Sequence, residues 1–580
     1  MTAHSSPPDQ KKLLLAVVLS VAILVAFHFL VEKPRMMRLK AEQQTLAKMA
    51  ETGIKTPLTV AVPDVAAEKA VVVPAQRVPF HNEKISGSLS LQGGRFDDVV
   101  LSNYYTHVDK KEHVRLLSVG DDTQKPHHVE FGWLAAGNQS TRLPDAQTIW
   151  QLDGASARAS ELVLEPSKPL SLFWDNGQGV IFRKTINVDH DYLFTVDLSV
   201  ENKTNASVSV APYGLISRQE IPASLGTFIL HEGPLAVIDG VLNNENYNDV
   251  KPDAKKELKG AISWLGMTDK YWLSAIIPAN GENGDVRYQQ GLLGKDRPFY
   301  QVDFLGTPRA VEAGQKITYQ QKFFIGAKEI TLLDKYKKEQ GITNFDLAVD
   351  FGWFYFLTKP FFYVLYWLSH HLGNLGLAIL AFTIILRAAV FPLANRSFKA
   401  MSKMKMVAPK LEELKKTHAD DKAKMQQEIM ALYQREGANP LSGCWPMFLQ
   451  IPIFFALYKV LLVAIEMRHA PFYGWIQDLS TADPTSIFNL FGLIPWNPPG
   501  FLMIGAWPLI MGATLFLQQK LNPPPADPVQ RDVMMLMPLL MIFTLSHAPA
   551  GLVIYWSWTN ILSMLQQAVI MKRMGVEPLS

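Results

Sequence analysis

Leu375 to Leu393 reads LGLAILAFTIILRAAVFPL, an apolar run with a single charge in it. Every residue from Leu375 to Leu386 is apolar, glycine or threonine, and Arg387 follows before the run ends. At roughly 1.5 Å per residue the run covers most of a hydrocarbon core about 30 Å thick, which places Arg387 inside a membrane. An arginine at the centre of a span costs about 2.5–3.5 kcal/mol on insertion scales, whereas each Leu, Ile, Phe or Val returns roughly 0.3–0.6 kcal/mol. Leu375, Leu377, Ile379, Leu380, Phe382, Ile384, Ile385, Leu386, Val390 and Phe391 together offset that cost, so the helix can insert with its charge retained. Three readings of Arg387 stay open: snorkelling to lipid phosphates, a buried ion pair, or a wet cavity. No other apolar run carries Asp or Glu in its interior to complete a pair.

The 580 residues leave room for several domains. Hydrophobic residues make up 48% of the chain but cluster at its start and after residue 350, so the middle reads as soluble. A net charge of +3 is too small to argue for a nucleic-acid partner. With Cys444 as the only cysteine, no intramolecular disulfide can form. Lys11 and Lys12 precede a run of spanning length, Leu13 to Val31, with no small-residue cleavage site in the EKPRMMRLK that follows. Residues 1–32 therefore read as an uncleaved signal anchor. Residues 33–80 read as a tether, since Pro57, Pro63, Pro74 and Pro79 punctuate a Val- and Ala-rich stretch without helical period.

From there the pattern has period two. Phe194, Val196, Leu198 and Val200 interleave with Thr195, Asp197 and Ser199, and Ile317, Tyr319, Phe323 and Ile325 repeat the alternation. Turn signals at Gly93-Gly94 and Asp175-Asn176-Gly177 separate such runs, so a large antiparallel β domain of sandwich type is expected, with its domain spanning residues 81–345. His107, His113, His127, His128, Asp97, Asp98, Asp109 and Glu112 lie in its first third, but their spacing matches no metal or catalytic signature. Neither catalysis, nor a metal, nor a cofactor is expected.

Residues 346–372 are unusually aromatic and are broken by Lys359-Pro360. An amphipathic helix in the membrane interface, anchored by Trp353, Tyr355, Tyr363, Tyr366 and Trp367, fits better than another span. Residues 395–438 read as a polar helical hairpin rich in Lys403, Lys405, Lys410, Lys415 and Lys416, with Met401, Met404, Leu411 and Leu414 facing Met425, Ile429 and Leu432. Its positive charge points to the cytoplasm. Further spans are expected at 446–465, 501–517, 533–546 and 551–571. With 375–393 and the anchor they give six, both termini inside and the β domain outside. Lys33, Arg35, Arg38 and Lys40 oppose that orientation for the first span, a conflict that a long translocated domain makes tolerable. The apolar piece Ile487 to Trp496 is too short to cross and is expected at the outer interface.

Asn439-Pro440-Leu441-Ser442-Gly443-Cys444-Trp445-Pro446, then Gln450-Ile451-Pro452-Ile453-Phe454, then Pro549-Ala550-Gly551-Leu552-Val553-Ile554-Tyr555-Trp556 opening the last span, resemble the YidC/Oxa family of membrane protein insertases. The anchor and large β domain resemble its Gram-negative bacterial form. The resemblance implies a bacterial inner-membrane protein: a five-span core, residues 373–575, around a hydrophilic groove, and a periplasmic β-supersandwich similar to sugar-binding folds. It implies an insertase and chaperone for nascent inner-membrane proteins, working alone or with the Sec translocon (SecYEG and SecDF), meeting the ribosome through cytoplasmic loops, in contact with membrane lipids and without a small-molecule substrate. In that frame water and neutral polar groups would solvate Arg387, with Thr383, Gln450, Ser557, Asn560 and Ser563 as candidates and Tyr555 and Trp556 as client contacts. Trp556 departs from the family's second tyrosine, and the KRMGVEPLS tail has little net charge for a ribosome. An anion transporter and a membrane-anchored carbohydrate-binding or carbohydrate-processing protein are the competing classes; the first would more often show paired halves, which are not visible here.

Overall fold

The computed structural model describes residues 76–576 apart from 121–124, 138–140, 154–161, 220, 222–229, 251–255, 294–296, 419–420, 438–444, 497 and 523–527. The expected signal anchor, nearly all of the tether and Asn439–Cys444 of the proline motif lie outside the described residues.

Antiparallel strands from Arg77 to Ala327 build two sheets. One runs Arg77–His81, Ile85–Ser90, Arg95–Tyr105, His127–Ala135, Val208–Gln219, Arg297–Gly306 and Asn283–Leu293. The other runs Gln151–Leu152, Leu170–Asp175, Val180–Val188, Leu193–Asn202, Lys316–Ala327 and Trp272–Ile277. The long strand Lys256–Thr268 belongs to both, pairing through Lys256–Ala261 in the first and Leu265–Thr268 in the second. It switches sheets beside Gly260, at φ 150, where a Cβ would fall 2.4 Å from Asp239 Oδ2. The expected boundary at residue 81 falls on the last residue of the first strand.

The period-two pattern becomes the core. Phe194, Val196, Leu198 and Val200 are buried, and Thr195 and Asp197 point outward. Phe194 of one sheet meets Phe96 of the other edge-on at 5.0 Å, and Phe323 meets Phe131 at 5.8 Å. Each such pair adds about 0.5–1.5 kcal/mol beyond area burial. Two of the clustered acids serve as pins: Asp97 pairs with Arg77 of another strand and with Arg95 of its own, and Asp98 pairs across strands with Arg115. His128 lies buried in its strand, and desolvation lowers its pKa to about 3, so it stays neutral.

Eight described helices follow: α1 (Ile330–Glu339), α2 (Tyr355–Leu372), α3 (Leu375–Thr417), α4 (Lys422–Arg435), α5 (Trp445–Val463), α6 (Ala506–Leu521), α7 (Pro528–Leu545) and α8 (Ala550–Arg573). Gly373, at φ 66, ends α2, and Asn374 caps α3 by accepting from Leu377 N at 3.1 Å. The apolar run Leu375 to Leu393 and the first hairpin helix are one continuous helix, because Pro392 is carried inside α3 without breaking it. By length and composition α3 is the one described helix that qualifies as a membrane span, with a shorter apolar stretch at Gln450–Val463 in α5. In α8, Ser557, Asn560, Ser563 and Gln567 dilute the apolar run. On α2, Phe361, Phe362 and Leu365 are buried while Tyr363, Tyr366 and Trp367 stay exposed, an amphipathic division.

Helix α1, the turn at Phe345–Ala348 and α2 are tied together by polar contacts. Lys359 of α2 reaches Asp334 at 2.8 Å and Asp346 at 2.7 Å, and Lys337 reaches Asp346 at 2.9 Å. Burial by itself raises the Asp346 carboxyl, but hydrogen bonds from Lys359, Tyr355 and Lys337 outweigh it and hold the pKa at about 2. A carboxyl depressed on folding stabilises above its unfolded pKa, near 4, and that contribution is lost as pH falls toward 2. Asp346→Asn is therefore expected to remove the part of the acid-induced loss of near-UV circular dichroism that falls in this window; an acid limb identical to the parent's overturns the assignment.

Beyond α5, Glu466 Oε1 accepts from Ile330 N at the start of α1, at 2.9 Å, and its other oxygen is buried without a partner among the described residues. Arg468 donates to the Tyr105 and Thr106 carbonyls of the β domain at 2.6 and 3.1 Å and lies over the Tyr271 and Trp272 rings.

Candidate functional site

Helix α8 is the axis on which most of the sequence-derived site residues meet. Arg387 leaves α3 half-buried, and its guanidinium donates to the Thr559 carbonyl of α8 at 3.3 Å. Among the described residues no carboxylate pairs with it, so the buried-pair reading falls away. Gln450 of α5 donates through Nε2 to the Tyr555 hydroxyl at 2.9 Å, and Trp556 sets its ring against Phe454 of α5 at 4.8 Å. Asn560 donates to Thr514 Oγ1 of α6 at 3.2 Å. The same helix thus carries a polar strip toward α3 and α5 and a second tie to α6, which Gln567 extends by donating to the Leu521 carbonyl at 3.1 Å.

Three candidates are engaged elsewhere. Thr383 Oγ1 donates to the Ile379 carbonyl at 2.6 Å, Ser557 Oγ to Val553 O at 2.8 Å and Ser563 Oγ to Thr559 O at 2.6 Å. Each satisfies its hydroxyl on the preceding turn of its own helix, the usual behaviour of Ser and Thr inside apolar helices.

Sequence reasoning passed over Thr559, Thr514 and Lys459. Lys459 is the informative omission, because a charge inside the run Pro446 to Ile465 was available as a signal. In the structure its ammonium pairs with Asp350 at 2.8 Å. Burial works to raise the Asp350 carboxyl, but Lys459 and the backbone N–H groups of His231 and Gly352 hold it below the usual carboxylate range.

The basic hairpin is partly self-paired. Lys410 bridges Glu436 at 2.6 Å, Lys403 and Lys416 are exposed, and Lys405 and Lys415 are half-buried. Asp421 caps α4 by accepting from Lys424 N at 3.0 Å. Met401 packs with Phe398, Ala394 and Ile570, against the end of α8. The expectation that it faces the second hairpin helix is corrected: α3 continues without a break past residue 395, and its Met401 turn packs against Ile570 of α8.

Residues 77–364 match the family described as YidC periplasmic domain, and residues 367–577 the family described as 60Kd inner membrane protein. The membrane protein insertase YidC of Rickettsia conorii is 44% identical over 575 residues, covering 97% of this chain and 98% of the relative. The chain belongs to the YidC family. The insertase YidC of Bradyrhizobium diazoefficiens is 43% identical over 605 residues, covering 98% and 97% respectively. Among solved structures, an active YidC insertase with its first transmembrane domain resolved aligns at 17% identity over 88% of this chain and 94% of its own, with a TM-score of 0.35. The two YidC family matches adjoin within α2, the helix whose Lys359 is held by Asp334 and Asp346.

Proposed function

We propose that this chain is a membrane protein insertase and chaperone of the bacterial inner membrane, not an enzyme, and that α3, α5 and α8 form its client groove. Six spans, counting Leu13 to Val31, place both termini and the basic hairpin in the cytoplasm and the β domain in the periplasm. Nascent inner-membrane proteins are the clients. The hairpin, with Lys403, Lys405, Lys410, Lys415 and Lys416, and the segment Gln518 to Asp532 receive them from the ribosome, and the Sec translocon (SecYEG and SecDF) takes part for some. The observation that carries the reading is Arg387: a positive charge in an apolar helix, without a carboxylate partner among the described residues and tied to α8 by one carbonyl.

Its chemistry follows from that isolation. A client with one or two spans must carry a polar, often acidic tail across the bilayer. A hydrated positive site part-way across attracts the tail and shortens its hydrocarbon path, and the client's apolar segment then leaves sideways into lipid. No nucleotide is needed, and no GxxxxGK[ST] sequence occurs in the chain. Gln450, Tyr555, Trp556 and Asn560 supply polar and aromatic contacts along the path.

A photo-crosslinking side chain at position 450, with ribosomes stalled on a single-span client, tests the groove. Crosslinks confined to the nascent span, moving along it as the chain lengthens, are expected. Absence of nascent-chain crosslinks at 450, with crosslinks from the exposed lipid side of α7, excludes the groove as the path.

A further inference from the structure

Between Asp483 and Lys520 the sequence has no acidic or basic residue. Within it, Phe488, Leu490, Phe491, Leu493, Trp496 and Phe501 stand on the surface, with Leu493 84% and Phe501 70% exposed. Large apolar side chains concentrated in this way mark a contact surface rather than ordinary surface scatter.

The backbone is built to hold them out. Leu490 and Phe491 take φ of 50° and 58°, a left-handed conformation that costs about 1–2 kcal/mol per residue for L side chains. It is held by Phe491 N donating to Ser486 O at 2.7 Å, Ile494 N to Asn489 O at 3.1 Å and Asn489 Nδ2 to Trp496 O at 3.2 Å. Gly492 N donates to Asn489 Oδ1 at 3.0 Å, and Ser486 Oγ to Leu502 O at 2.8 Å. Pro495, Pro498 and Pro499 have no N–H to satisfy. A loop that bonds its own polar backbone groups meets the condition hydrocarbon imposes.

The base is rigid. Asp483 accepts from Trp475 Nε1 at 3.1 Å, Thr485 N at 3.0 Å and Trp507 N at 2.9 Å, the last in the first turn of α6. Through Trp507 the loop leads into α6, where Ile510 is uncovered, and His547, two residues past the end of α7, sets its Nε2 3.2 Å from the Gly500 carbonyl, beside a helix on which Leu536 and Leu540 are uncovered.

We infer that residues 487–496 and 498–501 form a wedge that enters the acyl-chain region of the outer leaflet and holds lipid by apolar contact, without reading headgroup charge. The inference rests on the membrane-spanning reading of α6 and α7. Continuity with those faces and the absence of any charge to select a protein partner or an anionic headgroup favour lipid as the occupant.

The test uses the full chain with Cys444→Ser in lipid vesicles, carrying a fluorophore through Leu493→Cys, Leu539→Cys on α7, or Val241→Cys on the β domain. Nitroxide lipids labelled at shallow or deep acyl positions report depth. The expected result is loss of emission at 493, greater with the shallow label and unchanged when anionic lipid is omitted, with loss at 539 and none at 241. No loss at 493 with loss at 539 overturns the wedge and leaves the spanning reading standing. No loss at either overturns both. Loss at 493 that requires anionic lipid overturns the claim that headgroup charge is not read.

Discussion

Insertion of a client with an acidic extracytoplasmic tail is expected to fall more than tenfold in Arg387→Ala and to disappear in Arg387→Glu, with Arg387→Lys keeping most of the activity. A unit charge about 8 Å from a carboxylate at an effective dielectric near 20 contributes about 2 kcal/mol, and reversal changes the sign of that term as well as removing it. In the native chain nothing acidic competes for this charge among the described residues, because its guanidinium reaches only the Thr559 carbonyl. Reconstituted vesicles and protease protection of the client tail give the readout. A matched client with a neutral tail separates attraction from hydration: charge reversal should cost it far less. Equal insertion of the acidic client by Arg387→Glu and by the parent removes electrostatic attraction from the mechanism.

What the sequence makes legible divides along physical lines. The β domain is visible because period two survives burial on one face, and Phe194 to Val200 land in the core as the alternation requires. Arg387 is visible because a charge in an apolar run has few explanations. The extent of α3 is not, since a change from apolar to basic composition after Leu393 looks like an element boundary, yet backbone hydrogen bonding continues through it to Thr417. Thr383 and Ser557 show a second limit. Spacing puts them on the right helix turns, but a hydroxyl can bond the carbonyl four residues back, and sequence does not reveal which acceptor wins. The family resemblance rested on prolines and aromatics around 439–454 and 549–556, and the full-length relatives bear it out. The polar contacts between distant segments were beyond reach, since Lys459–Asp350 and Glu466–Ile330 link residues more than 100 apart.

The Glu466 joint carries the second large effect, and its sign runs opposite to that of Asp346. Burial raises the Glu466 carboxyl to about 7, with Glu329 nearby adding to the rise and the hydrogen bond from Ile330 N opposing it. The charge that acts on it is Glu329, itself bonded to Lys84, Tyr104 and Tyr192, and His370 lines the same cavity as Glu466. A carboxyl raised on folding stabilises the joint fully below its unfolded pKa of about 4.5 and loses that contribution as pH rises to about 7, levelling beyond. Glu466→Gln keeps an oxygen for Ile330 N and removes the ionisation. It is expected to be more stable than the parent by about 2–4 kcal/mol at pH 8 and equal to it near pH 4.5, read by denaturant unfolding of the intact chain in detergent. Glu466→Ala, which removes the acceptor as well, should escape the same ionisation at pH 8 but fall below the parent near pH 4.5 by about 1 kcal/mol, the loss of one cap. A Gln variant no more stable than the parent at pH 8 means the carboxylate is accommodated in its ionised form, and then the partnerless oxygen is solvated when the joint closes.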